Sequence, residues 1–502
     1  MLVRRQFRVS GIVQGVGFRP FVFNLATRLG LAGFVLNDSA GVLIEVEGEP
    51  EAVGEFGLTL AASPPPLSVI DRVDTRDLAP RGTETGFSIS TSEHAGAATA
   101  LISPDFATCD DCLRDMADPA DRRYRYAFTN CTNCGPRFTI SRGIPYDRPN
   151  TTMAPFAMCP ECRAEYDNPA DRRFHAQPVA CPNCGPHLQL LDRSLEPVAG
   201  DPVTESARLL RQGSILAVKG LGGFHLVCLA SDADAVAKLR SRKAREDKPF
   251  AVMAADLQAV DLLALTAGQE RELLLSRRRP IVLLERRPDA PVADGVAPNN
   301  RYLGVMLPYT PLHHLLLAEV GGAIVCTSGN LSDEPIAYRD DDAQARLDRI
   351  ADFFLTHNRD IHMRCDDSVV RVVPSPEGPV QQLMRRARGY APEPISVAPA
   401  FREPILAAGP ELKHTFCIGS QDRAIISHHL GDMENWETMS SFLEGVEHYQ
   451  RVFEVRPKIV AHDLHPEYLV TKWAKDLQGA ALVGVQHHHA HIASCLADNL
   501  RS

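Results

Sequence analysis

The stretch CDDCLRDMADPADRRYRYAFTNCTNCGP (residues 109–136) recurs as CPECRAEYDNPADRRFHAQPVACPNCGP (residues 159–186), a shift of fifty residues. Each copy contains two CxxC turns, and a CxxC turn presents two thiolates to one tetrahedral metal ion. Two such turns fill a four-cysteine shell and leave no open position for catalysis. The repeat therefore predicts a pair of structural zinc ribbons, with two Zn2+ ions held by Cys109, Cys112, Cys131, Cys134, Cys159, Cys162, Cys181 and Cys184.

The order of the repeat favours one zinc site within each copy, although pairing across the copies is sterically possible. Redox dithiols and unbound core cysteines are the competing interpretations, but four matched pairs are more typical of zinc. His175 and His187 are expected to be non-ligands because the thiolates already fill the shell. The remaining cysteines have no partner in the pattern and are predicted to be small buried side chains: Cys228, Cys326, Cys365, Cys417 and Cys495.

Composition excludes several classes of protein. With 502 residues, 44% hydrophobic and 23% charged, the chain is long enough for about three domains of ~150 residues and is not disordered, collagen-like or coiled-coil. The net charge of -10 repels phosphate backbones, so nucleic acid is not an expected partner. The arginines of the repeat are flanked by acidic residues and are predicted to form a solvated face: Arg122, Arg123, Arg172 and Arg173. No signal peptide or membrane-spanning stretch is apparent, which predicts a cytoplasmic protein without a membrane partner.

Residues 1–92 predict a small domain of strand, helix, two strands, helix and two strands. Phe18, Val22 and Leu25 recur at helical spacing, and Gly30 follows them as a C-terminal cap. GFVLN and VLIEVEG indicate a hairpin. This order of elements is typical of a ferredoxin-like α+β sandwich.

The turn GIVQGVGFR (residues 11–19) lies between the first strand and the first helix. Backbone N–H groups and the helix dipole favour an anion at such a turn, and Arg19 adds a planar fork for phosphate oxygens. A purely structural glycine turn is the alternative. The predicted phosphate-binding loop consists of Gln14, Gly15, Val16, Gly17 and Phe18. The element order and these residues resemble acylphosphatase, which implies that Arg19 holds the phosphate and that Asn37 orients the attacking water.

Residues 200–390 alternate helical segments with apolar runs and predict an α/β domain. LRSRKAREDKPF (residues 239–250) concentrates basic side chains beside an extended run, and the chain has no Walker A motif or GxGxxG. A solvated basic face is the alternative. This stretch, TSGN (residues 327–330) and KGLGGFH (residues 219–225) resemble the YrdC family, which makes carbamoyl-type adenylates from ATP. The resemblance implies that ATP binds here with Mg2+. The resemblance implies a nucleotide site formed by Lys219, Lys243, Arg245, Lys248, Ser328 and Asn330, with Arg364 and Asp366 as weaker candidates.

A proline-rich linker begins at Ala391, and residues 404–502 form a further domain that we expect to be truncated. In VQHHHAHI (residues 485–492), His487 and His491 stand at i and i+4, so both imidazoles reach one ion if the segment is helical. The motif resembles TsaD-type carbamoyl-transferring domains of the ASKHA fold. That resemblance implies Fe or Zn at this pair, with an acidic ligand farther downstream.

The domain order of the chain resembles that of the hydrogenase maturation carbamoyltransferase family. It consists of an acylphosphatase-like domain (1–92), two zinc ribbons (105–190), a YrdC-like domain (200–390) and the start of a TsaD-like domain (404–502). The resemblance implies hydrolysis of carbamoyl phosphate, formation of carbamoyl-adenylate with ATP, and transfer of the carbamoyl group to the C-terminal cysteine of HypE for cyanide ligand synthesis. The alternatives are a tRNA-modifying enzyme of the threonylcarbamoyl type and a zinc-dependent RNA-binding scaffold without enzymatic activity.

Overall fold

The structure is a computed structural model that describes residues 2–38, 41–65, 67–82, 86–90, 101–332 and 334–499. Its described part contains one sheet in the N-terminal region, one large sheet in the middle and one in the C-terminal region. Among the described residues, every helix is too short or too polar to traverse a lipid bilayer.

The N-terminal region is the predicted ferredoxin-like sandwich. Its five-stranded sheet has the order β4-β1-β3-β2-β5, and the side chains of Phe7 and Phe56 pack together between the sheet and the second helix at a centroid distance of 5.4 Å. Gly30 adopts a positive φ of 65° just after the first helix, as expected for a C-terminal cap. The elements are β1 (Val3–Ile12), α1 (Phe18–Arg28), β2 (Ala32–Asp38), β3 (Gly41–Gly48), α2 (Pro50–Ala62), β4 (Val69–Leu78) and β5 (Phe87–Ile89).

The cysteine repeat has little regular structure. Helices α3 (Asp110–Ala117) and α4 (Pro160–Asp167) each start directly after the first cysteine of a copy, and most of the remainder is turns. With so few backbone hydrogen bonds in ladders, the fold of this region depends on side-chain contacts and on its cysteine clusters.

The ribbon region contacts the three other regions. Phe174 packs edge-on against Phe23 of α1 at a centroid distance of 5.6 Å. Phe138 packs against Tyr449 of the C-terminal region at 5.7 Å. The backbone N–H of Thr108 donates to a carbonyl of the middle region, Tyr309 O, at 3.1 Å. The ribbon region therefore packs against each of the other three regions.

The middle region is built on an eleven-stranded mixed sheet with the path β16-β15-β11-β12-β9-β13-β8-β7-β14-β6 and β10 beside β11. The predicted alternation of helices and apolar strands is confirmed. Its elements are β6 (Leu188–Asp192), α5 (Pro202–Arg211), β7 (Leu216–Lys219), β8 (Phe224–Leu229), α6 (Ala233–Lys243), β9 (Ala251–Met253), α7 (Leu257–Leu263), β10 (Ala264–Leu265), α8 (Gly268–Leu275), β11 (Ile281–Arg286), β12 (Tyr302–Met306), α9 (Pro311–Val320), β13 (Ile324–Ser328), α10 (Asp340–Leu347), β14 (Phe353–His357), β15 (Val369–Val373) and β16 (Val380–Arg385).

The C-terminal region has a six-stranded sheet with the order β17-β20-β19-β18-β21-β22. The predicted linker is not purely a linker, because Ile395 and Ser396 form a short strand that pairs with β20. The elements are β17 (Ile395–Ser396), β18 (Ile405–Ala407), β19 (Cys417–Ser420), β20 (Arg423–Ile426), α11 (Trp436–Val452), β21 (Ile459–Asp463), α12 (Leu469–Asp476), β22 (Ala481–Val485) and α13 (His487–Asp498).

Candidate functional site

The eight cysteines of the repeat form two clusters, one within each copy. Each cluster has its four Sγ atoms within 4.8 Å of one another. The closest Sγ pairs are 3.6 to 3.9 Å apart. A tetrahedron with Zn–S bonds of about 2.3 Å has edges of about 3.8 Å, so both clusters fit Zn2+. The predicted pairing within each copy is confirmed.

The prediction that the arginines of the repeat form a solvated face is wrong. Arg123 and Arg173 are buried, with exposed fractions of 1% and 5%. Arg122 Nη2 lies 3.1 Å from Cys162 Sγ, and Arg172 Nη1 lies 3.0 Å from Cys112 Sγ. Each arginine therefore donates to a cysteine of the opposite copy. A four-thiolate zinc site carries a charge of about −2, which explains why cations are placed there and not in solvent.

The ion pairs between the two copies have approximate two-fold symmetry. Glu165 of the second copy pairs with Arg122 and Arg123 of the first. The corresponding residue of the first copy, Asp115, pairs with Arg172 and Arg173 of the second. The two copies thus interlock through equivalent ion pairs.

The cysteines outside the CxxC turns were predicted to be buried, and only some of them are. Cys228, Cys326 and Cys365 are buried, and Cys417 is partly exposed. The prediction is wrong for Cys495, which is exposed because helix α13 buries none of its side chains.

The glycine-rich turn before α1 has the backbone of an anion-binding concavity. Gly15 and Gly17 have positive φ angles of 71° and 77°, a region that glycine adopts without steric cost. Arg19, in the first turn of α1, is 8% exposed, and Asn37 at the end of β2 is 1% exposed. We assign the Asn37 amide with its oxygen toward the guanidinium, because only that orientation lets it accept from Arg19 Nη2 at 3.2 Å and from Nε at 3.1 Å. The turn, the arginine and the amide are therefore in one place.

The ribbon region covers this turn and adds side chains that the sequence pattern did not indicate. Asp147 Oδ1 accepts from Arg19 Nη2 at 2.9 Å. Arg137 donates to Gly15 O, and Tyr146 packs over the same loop. His175 lies beside Arg19, and its pKa is lowered to about 4 by burial and then by Arg19, so it is neutral at pH 7. No local pattern points to these residues, because they become neighbours of Arg19 only when two regions dock.

Gln14 ties the loop to its surroundings. Its Nε2 donates to Asp38 O at 2.7 Å and to Gly41 O at 2.9 Å, and its Oε1 accepts from the backbone N–H of Tyr146 at 3.3 Å. Val16 and Phe18 are buried in the core of the domain. These contacts hold the turn in shape and leave its backbone to face the ribbon.

Three residues of the predicted nucleotide site lie together at the end of β13. The Lys243 Nζ donates to Ser328 O at 2.8 Å and to Asn330 Oδ1 at 2.6 Å, and Ser328 Oγ donates to Asn330 Oδ1 at 2.7 Å. Burial lowers the pKa of Lys243 to about 7. A buried ammonium whose charge is this poorly solvated favours a nearby anion such as a phosphate.

The other candidates of the predicted nucleotide site have partners of their own. Arg245 donates through Nε to Lys248 O at 3.0 Å, so these two belong to one loop after α6. Lys219, at the end of β7, pairs with Asp340 at 2.7 Å. Arg364 pairs with Glu444 of α11 at 3.0 Å, and it borders the C-terminal region. Burial raises the pKa of Asp366.

Lys219 lines a cavity of about 610 Å³ at the junction of three regions. Its wall includes Arg142 of the ribbon region, Asp340 of the middle region, and Glu444 and His448 of the C-terminal region. The lining is rich in charged groups of both signs, which suits a polar ligand. The nucleotide candidates Lys219 and Lys243 thus belong to two different surroundings.

A buried ionic chain that sequence reasoning missed supports the middle sheet. Asp367 accepts from His225 Nε2 at 3.0 Å and from Arg388 Nε at 2.7 Å. The Arg388 guanidinium lies 3.4 Å from the centroid of the Tyr309 ring. The Arg388 and His225 interactions hold the pKa of Asp367 well below its usual range despite the opposing effect of burial. Its members are far apart in the chain, so no local motif reveals the group.

At the C-terminal end, the segment with the histidine pair is helical as expected. His487 and His491 lie on the first turns of α13 with ring centroids 4.8 Å apart. Asp463 at the end of β21 bonds to His487 Nδ1 at 2.6 Å, which directs Nε2 of that ring outward. Within the described residues, the groups of three or more side chains that could hold a metal ion are the two cysteine clusters, so a metal at this histidine pair stays a prediction.

Segments of the chain match four family models. Residues 5–89 match acylphosphatase, residues 108–141 and 158–191 match the HypF finger, residues 208–387 match the Sua5, YciO and YrdC model described as telomere recombination, and residues 400–498 match the HypF Kae1-like domain. Carbamoyltransferase HypF2 of Cupriavidus necator is 50% identical over 518 residues, which cover 99% of this chain and 64% of that protein. Over 99% of its length, the chain is therefore similar to proteins of the HypF family.

A second relative and a solved structure show the same similarity to HypF proteins. Carbamoyltransferase HypF of Rhodobacter capsulatus is 48% identical over 99% of this chain and 66% of that protein. The crystal structure of a full-length HypF in the phosphate- and nucleotide-bound form superposes with a TM-score of 0.96 at 48% identity, covering 100% of this chain and 65% of that one. The chain therefore spans just under two thirds of the length of these HypF relatives.

Proposed function

We propose that the protein is a hydrogenase maturation carbamoyltransferase. Carbamoyl phosphate is hydrolysed at the N-terminal site to carbamate and phosphate. Carbamate then attacks the α-phosphorus of ATP, bound with Mg2+ in the middle region, to give carbamoyl-adenylate and pyrophosphate. The carbamoyl group is finally transferred to the C-terminal cysteine thiolate of HypE, with AMP as the leaving group.

The observation that carries this proposal is the contact between Arg19 and Asn37 beneath the glycine turn. Carbamoyl phosphate is a mixed anhydride and is already activated, so its hydrolysis needs charge neutralisation and a positioned water more than a strong base. Arg19 supplies the charge, the turn supplies backbone N–H donors, and the Asn37 amide orients the water. Because Asp147 also pairs with Arg19, the arriving phosphate shares or replaces that carboxylate.

The second step is assigned to the group around Lys243. Its ammonium, the neighbouring basic loop with Arg245 and Lys248, and the hydroxyl and amide of Ser328 and Asn330 suit a triphosphate. Lys219 lines the large junction cavity, and Arg364 donates to Glu444 in the wall of that cavity. We assign both to the carbamoyl-adenylate as it moves toward the C-terminal region.

The third step is assigned to the C-terminal region. His487 and His491 would hold Fe or Zn, which supplies a Lewis acid for the carbamoyl oxygen when bound. Asp463 fixes the tautomer of His487 for that role.

Carbamate decomposes quickly in water, and carbamoyl-adenylate hydrolyses, so transfer between enclosed sites protects both. The burial of the phosphate loop under the ribbon region supports enclosed transfer. We propose that the interlocked zinc ribbons act as a rigid spacer that aligns the first two sites.

The test is the conversion of ATP to AMP and pyrophosphate in the presence of carbamoyl phosphate, with phosphate release measured in parallel. Arg19→Ala and Asn37→Ala should lower phosphate release by about 10²–10³-fold, the loss expected when a charge-stabilising donor is removed. Both variants should bind ATP normally. Arg28→Ala, an exposed position on the same helix, is the matched control and should behave as the unmodified chain.

The same assay separates the threonylcarbamoyl alternative. An enzyme of that type converts ATP to AMP with threonine and bicarbonate, and it is indifferent to carbamoyl phosphate. AMP formation that requires threonine would contradict the proposal, and so would Arg19→Ala retaining full phosphate release.

A further inference from the structure

A small cavity of about 30 Å³ separates the ribbon region from the middle region. It is about twice the ~10–15 Å³ that one buried water requires, so it accommodates an ion of a few heavy atoms and excludes a nucleotide. Its wall includes Asn130, Gly135 and Pro136 of the ribbon region and Lys219 and Arg359 of the middle region.

Arg359 is an unusual group to find in this wall. It is 5% exposed and lies over the ring of Phe128 at 5.1 Å. Its Nε has no hydrogen-bond partner, and within the described part of the chain no carboxylate forms an ion pair with its guanidinium. Burial lowers the pKa of Arg359 to about 10, so it remains a cation at neutral pH. The buried carboxyl of Asp105 acts on Arg359 only without direct contact. A buried cation that no carboxylate contacts is unfavourable unless an anion joins it.

Two further features of the wall point to the same ligand. Asn130 Nδ2 donates to Phe128 O at 2.9 Å and Pro178 O at 3.0 Å, but none of the described residues donates to its buried Oδ1. An acceptor beside a cation suits a ligand with both a negative charge and an N–H or O–H group. Thr310, Pro311 and Leu312 at the beginning of α9 also border the cavity, and the N-terminal end of a helix favours an anion.

We propose that this cavity is a binding site for a small planar carboxylate-like anion that carries a hydrogen-bond donor, with Arg359 holding the anionic group and Asn130 Oδ1 accepting from the donor. Lys219 is excluded as the main cation, because its Nζ is already held by Asp340 and by His357 O at 2.9 Å.

The position of the cavity identifies its ligand within the proposed function, on which this step rests. The ribbon segment that forms one wall also contacts the phosphate turn, since Arg137 donates to Gly15 O and Tyr146 Oη donates to Pro136 O at 3.3 Å. The opposite wall reaches the ends of β7 and β14, and strand β13 of the same sheet ends at Ser328, whose backbone oxygen accepts from Lys243. Carbamate, which has a carboxylate and an amino group, fits both the chemistry and the location, as an intermediate held between the first and second sites.

Crystals of the chain soaked in sodium bicarbonate, a stable planar analogue of carbamate, should show an anion bonded to the Arg359 guanidinium. The same soak of Arg359→Met should show none. Absence of the anion from crystals of the unmodified chain would overturn the proposal.

In solution, Arg359→Met should lower carbamoyl-phosphate-dependent AMP formation by about 10- to 100-fold, the loss expected for a charge-assisted hydrogen bond, and should leave phosphate release unchanged. Its melting temperature should stay the same or rise, because an uncompensated charge is removed; a purely structural arginine would show a fall. Arg359→Lys should recover part of the AMP formation. Arg371→Met, on the exposed face of β15, is the control.

The outcomes distinguish this site from the function on which it rests. An unmodified chain that releases no phosphate from carbamoyl phosphate contradicts the proposed function. Phosphate release with AMP formation that is equal in Arg359→Met and in the unmodified chain contradicts the role of the cavity alone.

Discussion

Each ribbon copy has an arginine that donates to a cysteine of the other copy, and removal of that arginine should lower the zinc affinity of the cluster in the other copy. Arg172 belongs to the second copy but donates to Cys112 of the first at 3.0 Å, and Arg122 belongs to the first but donates to Cys162 of the second at 3.1 Å. A hydrogen bond to a charged group contributes about 1.5–3 kcal/mol, and outer partners of metal ligands typically contribute 10- to 100-fold in affinity. We therefore expect Arg172→Ala to weaken zinc at the first-copy cluster by about 10- to 100-fold.

The assay is competition with a chromophoric chelator, followed by cysteine alkylation and mass spectrometry to identify which cluster opened. Arg172→Ala should expose the cluster that contains Cys112, and Arg122→Ala should expose the cluster that contains Cys162. Arg114→Ala is the matched control, because this exposed first-copy arginine pairs with Asp111 and not with a thiolate. Alkylation of the cluster in the mutated copy itself, or of both clusters equally, would refute the reasoning.

Three further changes test other parts of the structure. Burial lowers the pKa of Lys243 to about 7 from 10.5, so between these pH values the unfolded chain binds more protons than the folded chain and the free energy of unfolding rises with pH. Lys243→Met should remove this rise in urea unfolding at pH 7 to 9, and an unchanged dependence on pH would contradict the reasoning. Asp367→Ala leaves the buried Arg388 without its partner and should lower the free energy of unfolding by about 3–5 kcal/mol in denaturant titrations; a loss below about 1 kcal/mol, as for an exposed pair, would contradict it. Gly15→Ala should reduce phosphate release from carbamoyl phosphate, because a left-handed alanine costs about 1–2 kcal/mol and its Cβ would lie 2.8 Å from the Tyr146 ring; full activity would show that the turn tolerates a side chain.

The sequence predicted those features that depend on local spacing. The CxxC turns, the amphipathic α1 with its Gly30 cap and the helical histidine pair follow from residues close together in the chain, and the structure contains each of them. The family resemblance led to Arg19 and Asn37, which are in contact.

Features that depend on docking between distant segments could not be predicted. Acidic neighbours in the sequence suggested that Arg172 is solvated, yet its partner Cys112 lies sixty residues earlier. Asp147 joins Arg19 across 128 residues, and the carboxylate of Asp367 reaches His225 across 142. The burial of Arg359 likewise depends on how two regions pack. Charge pattern alone does not distinguish a surface arginine from one enclosed at such a junction.

The most direct test of the proposed relay is an isotope experiment with competing carbamate in solution. The chain is supplied with ATP and 13C-labelled carbamoyl phosphate in a buffer that contains excess unlabelled bicarbonate and ammonium, which together form unlabelled carbamate. Carbamoyl-adenylate is then analysed by mass spectrometry after rapid quenching. Enclosed transfer predicts that the product keeps the 13C label of the carbamoyl phosphate, whereas a product diluted to the isotope ratio of the buffer, or no adenylate at all, would contradict it.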